Sequence, residues 1–124
     1  MPVISLEFLD EFAAAWSRHD ADGIISMMTS DCVMHLSVGA TPHGKRSQGE
    51  KELRAAIAEV FAAMPDAKWT DLTHFIAGDR GVTQWMCRWT RADGTNVETA
   101  GCDLFTFRDG LIAIKDSYRK LLTF

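Results

Sequence analysis

Apolar residues in this chain keep a helical period up to Pro65 and a strand period after it, and that single change limits what the chain can fold into. On the first side, Phe8, Phe12 and Trp16 recur every four residues, with Leu9 and Ala13 alongside. Leu6 to His19 therefore reads as an amphipathic helix, with Ser5 as its N-cap. Asp20 can cap a second, short helix carrying Ile24, Ile25, Met27 and Met28, which Thr29-Ser30-Asp31 then breaks. Cys32 to Val38 alternates as a strand, and Gly39 to Gly49, with Pro42, reads as a loop. Glu50 to Met64 is a helix whose face is Leu53, Ile57, Val60, Phe61 and Met64, and Pro65 ends it.

Beyond Pro65 the strand candidates are Ala67 to Ala77, Val82 to Arg91, Asn96 to Arg108 and Leu111 to Leu121. Gly78-Asp79-Arg80-Gly81, Ala92-Asp93-Gly94 and Asp109-Gly110 punctuate them, which is the turn chemistry of adjacent antiparallel strands. The expected order is α-α-β-α-β-β-β-β: an α+β domain whose helices pack on one face of a mostly antiparallel sheet. With 124 residues and no internal repeat or linker, one domain spanning 1–124 is expected.

Charge excludes some classes of function. The net charge of −4, with only Lys45-Arg46 and Arg119-Lys120 as short basic clusters, argues against a nucleic-acid surface. No apolar run approaches the roughly 20 residues that span a bilayer. The stretch MPVISLEFLDEF carries acids where a signal peptide would carry bases, so the expectation is a cytoplasmic protein. The three cysteines, Cys32, Cys87 and Cys102, show no paired spacing and read as buried free thiols rather than a disulfide framework.

Two segments, FAAAWSRHDADGIISMMTSDCVMH and GCDLFTFRDGLIAIKDSYRK, resemble the SnoaL-like branch of the nuclear transport factor 2-like superfamily. GEKELRAAIAEVFAAMPDAKW fits the third helix and Pro-Asp exit of the same family, so the resemblance covers nearly the whole chain. It implies a cone-shaped domain, three helices closing a strongly curved sheet around an apolar cavity. Relatives in that superfamily include ketosteroid isomerases, limonene-type epoxide hydrolases, polyketide cyclases, dehydratases and non-catalytic carriers, so function has to be argued from the site.

Strict alternation along the last strand puts Ile112, Ile114, Asp116 and Tyr118 on one face. An aspartate at the edge of that apolar surface suits proton transfer, because desolvation raises a carboxyl pKa. Asp116 also matches the strand position from which the epoxide hydrolases resembled here supply a catalytic acid. Arg88, following Val82, Gln84 and Met86, is its candidate partner, orienting a substrate oxygen or holding the carboxylate. The Arg and Asp that those hydrolases carry two residues apart fall at Met86 and Arg88, so their set is not reproduced. The plainer readings are an Asp116 paired with a neighbouring Arg or Lys, and an Arg88 that is a surface or edge arginine.

Asp103 is the third candidate catalytic residue, and its facing depends on the Asp109-Gly110 turn. A two-residue turn pairs Phe107 with Ile112, Phe105 with Ile114 and Asp103 with Asp116. A bulged, three-residue turn instead puts Cys102, Leu104 and Thr106 on the Asp116 face and turns Asp103 away. Both are sound turn chemistry. Candidate ligand-binding side chains are Tyr118, Trp16, Phe12, Met86, His35 and Phe61. Trp69, Trp85 and Trp89 are able to stack on a flat ligand, with core or dimer packing as the plainer reading.

Cys32, His35 and His43 match no zinc spacing, and there is no phosphate-binding glycine loop, so neither metal nor organic cofactor is expected. The leading expectation is a cofactor-independent acid/base enzyme (isomerase, cyclase, dehydratase or hydratase) acting on a small, largely apolar, oxygenated molecule. The alternatives are a ligand-binding or dimerisation module without catalysis, and a structural partner subunit. A homodimer is expected because the sheet has two faces, both carrying apolar residues.

Overall fold

A computed structural model describes residues 3–123; Met1, Pro2 and Phe124, counted in the single expected domain, lie outside the described residues. The elements run α1 (Leu6–Ser17), α2 (Ala21–Ser26), β1 (Met28–His35), β2 (Arg46–Gln48), α3 (Gly49–Ala63), β3 (Lys68–Ala77), β4 (Arg80–Thr90), β5 (Asn96–Arg108) and β6 (Leu111–Arg119). The strands form one curved, open, six-stranded sheet in the order β2-β1-β6-β5-β4-β3. All pairs are antiparallel except β1 with β6.

Local chemistry sets the helix ends. The Ser5 hydroxyl accepts from the Phe8 N–H at 3.0 Å and opens α1. Asp20 accepts from the Gly23 N–H at 2.9 Å and opens α2; that bond lowers its carboxyl pKa below the ordinary value. His19, between the two helices, takes φ 56°, and its ring stacks on Phe61 with centroids 4.1 Å apart. Helix α3 starts without a side-chain cap from Gln48, whose N–H is instead taken by Glu52 at 3.0 Å.

Two elements depart from the sequence reading. β1 takes in Thr29-Ser30-Asp31, expected as a breaker, because Met28 pairs with Ile112 on β6. Its register then shifts before Val33 pairs with Ile114. The expected loop contains β2, which pairs Gln48, Ser47 and Arg46 with Val33, Met34 and His35. Three residues are too few to show a period.

The main core lies between the helices and the inner face of the sheet, with Leu9, Ile24, Met34, Leu53, Ile57, Phe105 and Ile112 all but inaccessible. Phe12 meets Phe105 edge-on at 5.8 Å, joining α1 to β5. No helix among the described residues is long and apolar enough to cross a membrane.

The β5–β6 hairpin decides which side chains look inward. Asp109 and Gly110 take φ 55° and 75° and make the tight two-residue turn, pairing Arg108 with Leu111 and Phe107 with Ile112. The next pair is Thr106 with Ile114, so Ala113 is an extra residue on β6. Ile112 and Ala113 are both buried, and beyond them the alternation is inverted: Lys115, Ser117 and Arg119 face the helices. Further along, Trp85, Gly101 and Arg119 stand opposite one another across three strands. A Cβ on Gly101 would lie 2.4 Å from Trp85 Cη2 and 2.5 Å from the Tyr118 carbonyl oxygen. Gly101→Ala is therefore expected to lower stability by about 2 kcal/mol, as overpacking does, read as a lower urea midpoint with unchanged slope.

Candidate active site

A cavity of about 450 Å3 opens between α1, α3 and the inner face of the sheet. Its walls are mainly apolar and aromatic, and all four tryptophans, Trp16, Trp69, Trp85 and Trp89, belong to them. Trp16 is held by edge contacts to Phe61 and Trp69, both at 5.6 Å. The indole N–H groups of Trp16 and Trp85 are buried and have no partner among the described residues.

One polar row crosses this apolar wall. Thr83 on β4, Asp103 on β5 and Ser117 on β6 stand directly opposite one another, with Lys115 two positions before Ser117. The Ser117 hydroxyl donates to Asp103 Oδ1 at 2.7 Å, and Lys115 Nζ lies 3.2 Å from the same oxygen. Lys115 Nζ also donates to Ser117 Oγ at 2.7 Å and sits 4.6 Å from the Trp16 ring centroid. Asp103 and Lys115 are only 8% and 6% exposed, so this is a desolvated ion pair. Among the described residues nothing donates to Asp103 Oδ2.

Behind the row a second chain leads outward. Thr83 Oγ1 lies 2.8 Å from His74 Nδ1, and His74 Nε2 lies 2.7 Å from the exposed Asp10 carboxylate. Cys87 also lines the cavity, and burial pushes its thiol up to about 11, so it stays protonated at neutral pH and is no nucleophile. Burial also raises the Cys32 and Cys102 thiols. Among the described residues no three His, Cys, Asp or Glu side chains group as metal ligands.

The expected face of the last strand is the wrong one, and the extra residue at Ala113 is the reason. Asp116 stands opposite Leu104 and beside His35, on the side of the sheet away from the helices, and accepts from Tyr118 Oη at 3.2 Å. That carboxylate raises the Tyr118 phenol above its ordinary pKa. Tyr118 itself is 53% exposed. Arg88 also lies on the outer face, bonded to Glu98 at 2.9 Å and to Asp71 at 3.2 Å, with no contact to Asp116. Met86 shares that face, and His35 points the same way. Phe61 braces Trp16 rather than lining the cavity. Of the candidates, Asp103, Trp16 and Phe12 reach the cavity.

Lys115, Ser117, Arg119, Thr83 and His74 were missed as site residues. The trace available in the sequence was Ile112-Ala113-Ile114, three consecutive apolar residues that break alternation where a bulge inserts one.

Three helices on a curved, open sheet, enclosing an apolar cavity with one buried acid–base cluster, define the class: a cone-like α+β pocket protein. The SnoaL-like domain family model matches residues 9–114, and the chain belongs to that family. No curated protein sequence matches it. Among solved structures, a protein of Pseudomonas putida KT2440 provisionally assigned as a polyketide cyclase shares 15% identity. The similarity covers 96% of this chain and 93% of that one, with a TM-score of 0.83. TerC, co-crystallised with polyporic acid, shares 21% identity over 93% of this chain and 90% of its own, TM-score 0.80. A protein of Bacillus subtilis provisionally assigned as an isomerase shares 17% identity over 92% and 84%, TM-score 0.76. At these identities the likeness shows the fold.

Removing one partner from a buried pair leaves the other charge uncompensated. Lys115→Met is expected to lower stability by about 3–5 kcal/mol, and Lys115→Met with Asp103→Leu to recover most of it, both measured by urea unfolding.

Proposed function

We propose that this protein is a cofactor-independent acid/base enzyme of the isomerase or cyclase type, acting in the cavity on a small, largely apolar molecule that carries a carbonyl. The observation that carries the reading is the Asp103–Lys115–Ser117 cluster, buried in an otherwise apolar wall. Asp103 Oδ2, which has no donor, takes a proton from the carbon next to the carbonyl. The C–H electrons move to the carbonyl oxygen, and the Lys115 ammonium stabilises the enolate that forms. Returning the proton at a second carbon completes an isomerisation; attack of the enolate carbon on an internal carbonyl closes a ring. Ser117 and Lys115 hold Oδ1, so the free oxygen keeps its aim.

Exchange of α-hydrogens in D2O tests the first step without knowledge of the natural substrate. With cyclic ketones and 1,3-diketones followed by 1H NMR, the protein is expected to accelerate exchange of at least one probe. Asp103→Asn should lower that rate at least ~100-fold, with the probe's Kd kept within about threefold. The second reading, a ligand-binding module without turnover, is favoured by the ion pair itself, since a buried Asp–Lys pair is also a structural device. Bound probes that never exchange would select it.

The protein is also proposed to be a homodimer through the outer face of the sheet. Trp85 and Cys87 look into the cavity, so the surface in need of cover is the other one: Val82, Met86, Leu104 and Ile114, half-buried, with Phe75 59% exposed beside Val82. Sedimentation should show twice 13.8 kDa at micromolar concentration, and Leu104→Glu should shift it to the monomer. A wild-type monomer under those conditions would exclude this interface.

A further inference from the structure

The charges in the cavity wall do not balance. Its two carboxylates each have a cation: Asp103 has Lys115 at 3.2 Å, and Glu59 has Lys45 at 2.6 Å. Arg119 remains. Among the described residues no carboxylate lies within ion-pair distance of it, and its guanidinium carbon sits over the Trp89 ring at 5.5 Å. Arg119 is half-buried, at the rim end of the β6 row that begins with the buried Lys115. It also forms part of a second hollow of about 120 Å3, together with Trp89 and Val97.

The cation–π contact with Trp89 holds the guanidinium against the aromatic wall and leaves its donors for a planar oxyanion, which Arg serves in bidentate fashion and Lys does not. The spacing sets the size of what lies between. Ser117, opposite Asp103, is two positions from Arg119, which is about 7 Å along a strand. That span is close to the length of a fused bicyclic ring, and the wall between is aromatic, with Trp85 packed over Gly101 in the Arg119 row.

We infer that Arg119, in cation–π contact with Trp89, is an anion-recognition site at the cavity mouth, and that the cavity takes flat aromatic or polycyclic acids with the carboxylate on Arg119 and the far ring at Asp103. The inference rests on the reading of the cavity as a ligand site and adds the chemical class of the ligand. Lys115 lies four residues before Arg119 on β6, beside Asp103 and Ser117, so it serves the far end of the ligand rather than the carboxylate.

The test uses 2-naphthoate and its neutral isostere 2-naphthamide, titrated into the full chain and followed by the four indole cross-peaks of a 1H–15N spectrum. Wild-type protein should bind the naphthoate about tenfold more tightly at low salt, and the gap should narrow to threefold or less near 0.5 M NaCl. Arg119→Gln, which keeps most of the stem on Trp89, should abolish the preference and leave the naphthamide Kd within about twofold. Arg88→Gln, on the outer face, should leave the preference intact. Equal binding of the two probes by wild type, or a preference that survives Arg119→Gln, overturns the inference while the cavity remains a ligand site. Failure of both probes to bind at millimolar concentration overturns the cavity reading and the inference together.

Discussion

One extra residue, Ala113, decides the chemistry of both faces of the sheet. Side chains alternate along a strand, so inserting a residue into one member of a pair turns every later side chain over. Without the bulge, Phe107 and Phe105 would face Ile112 and Ile114, and Asp103 would share a face with Asp116. With it, Asp103 faces Ser117, and Lys115 stands two places away to neutralise it. The bulge is favoured where it occurs because Ile112 and Ala113 are both buried, while Ile114 is left half-exposed on the outer side. An unbulged strand would have buried Ile114 and given up the Lys115 contact to Asp103.

The inner and outer polar sets that result have different physics. Outside, Arg88 with Glu98 and Asp71, and Asp116 with Tyr118, are solvated groups whose pairing contributes little to stability. Inside, two charges have been taken from water into an aromatic wall, at a desolvation cost of several kcal/mol per ion before their attraction is counted. A filled apolar wall would have been as stable or more so. The pair is instead placed at the edge of a 450 Å3 cavity, with one carboxylate oxygen saturated and the other free. On the reading proposed above, the desolvation of this pair is matched by the ligand that the cavity receives.

The fold was legible because it rests on signals that recur: the i, i+4 stripe of Phe8, Phe12 and Trp16, the cap at Ser5, the stop at Pro65, and the Asp-Gly turn. Each is repeated by tertiary packing rather than opposed by it. The site was only partly legible. Asp103, Trp16 and Phe12 were within reach because their facing follows from a helix stripe or from one of two open registers. Asp116, Tyr118, Arg88, Met86 and His35 were placed by simple alternation or by resemblance, and the bulge leaves them on the outer face. β2 and the long register shift in β1 were invisible for a related reason. Both are set by partner strands distant in sequence, and neither leaves a period of its own.

The β4–β5 pairing links the buried pair to the solvent. Thr83 stands opposite Asp103, and its hydroxyl meets His74, which meets Asp10 on α1. A carboxylate at the surface thus fixes the ring of a histidine whose other nitrogen fixes a hydroxyl in the cavity wall. Asp10 draws the proton of a neutral ring to Nε2, so Nδ1 accepts from Thr83 and the hydroxyl turns its lone pairs to the cavity. The polar row of this cavity is therefore held from two sides, by Lys115 on the β6 side and by α1 through β3 on the other. Only the Lys115 support depends on the register that Ala113 sets, which brings Ser117 opposite Asp103; Thr83 stands opposite Asp103 through the β4–β5 pairing alone.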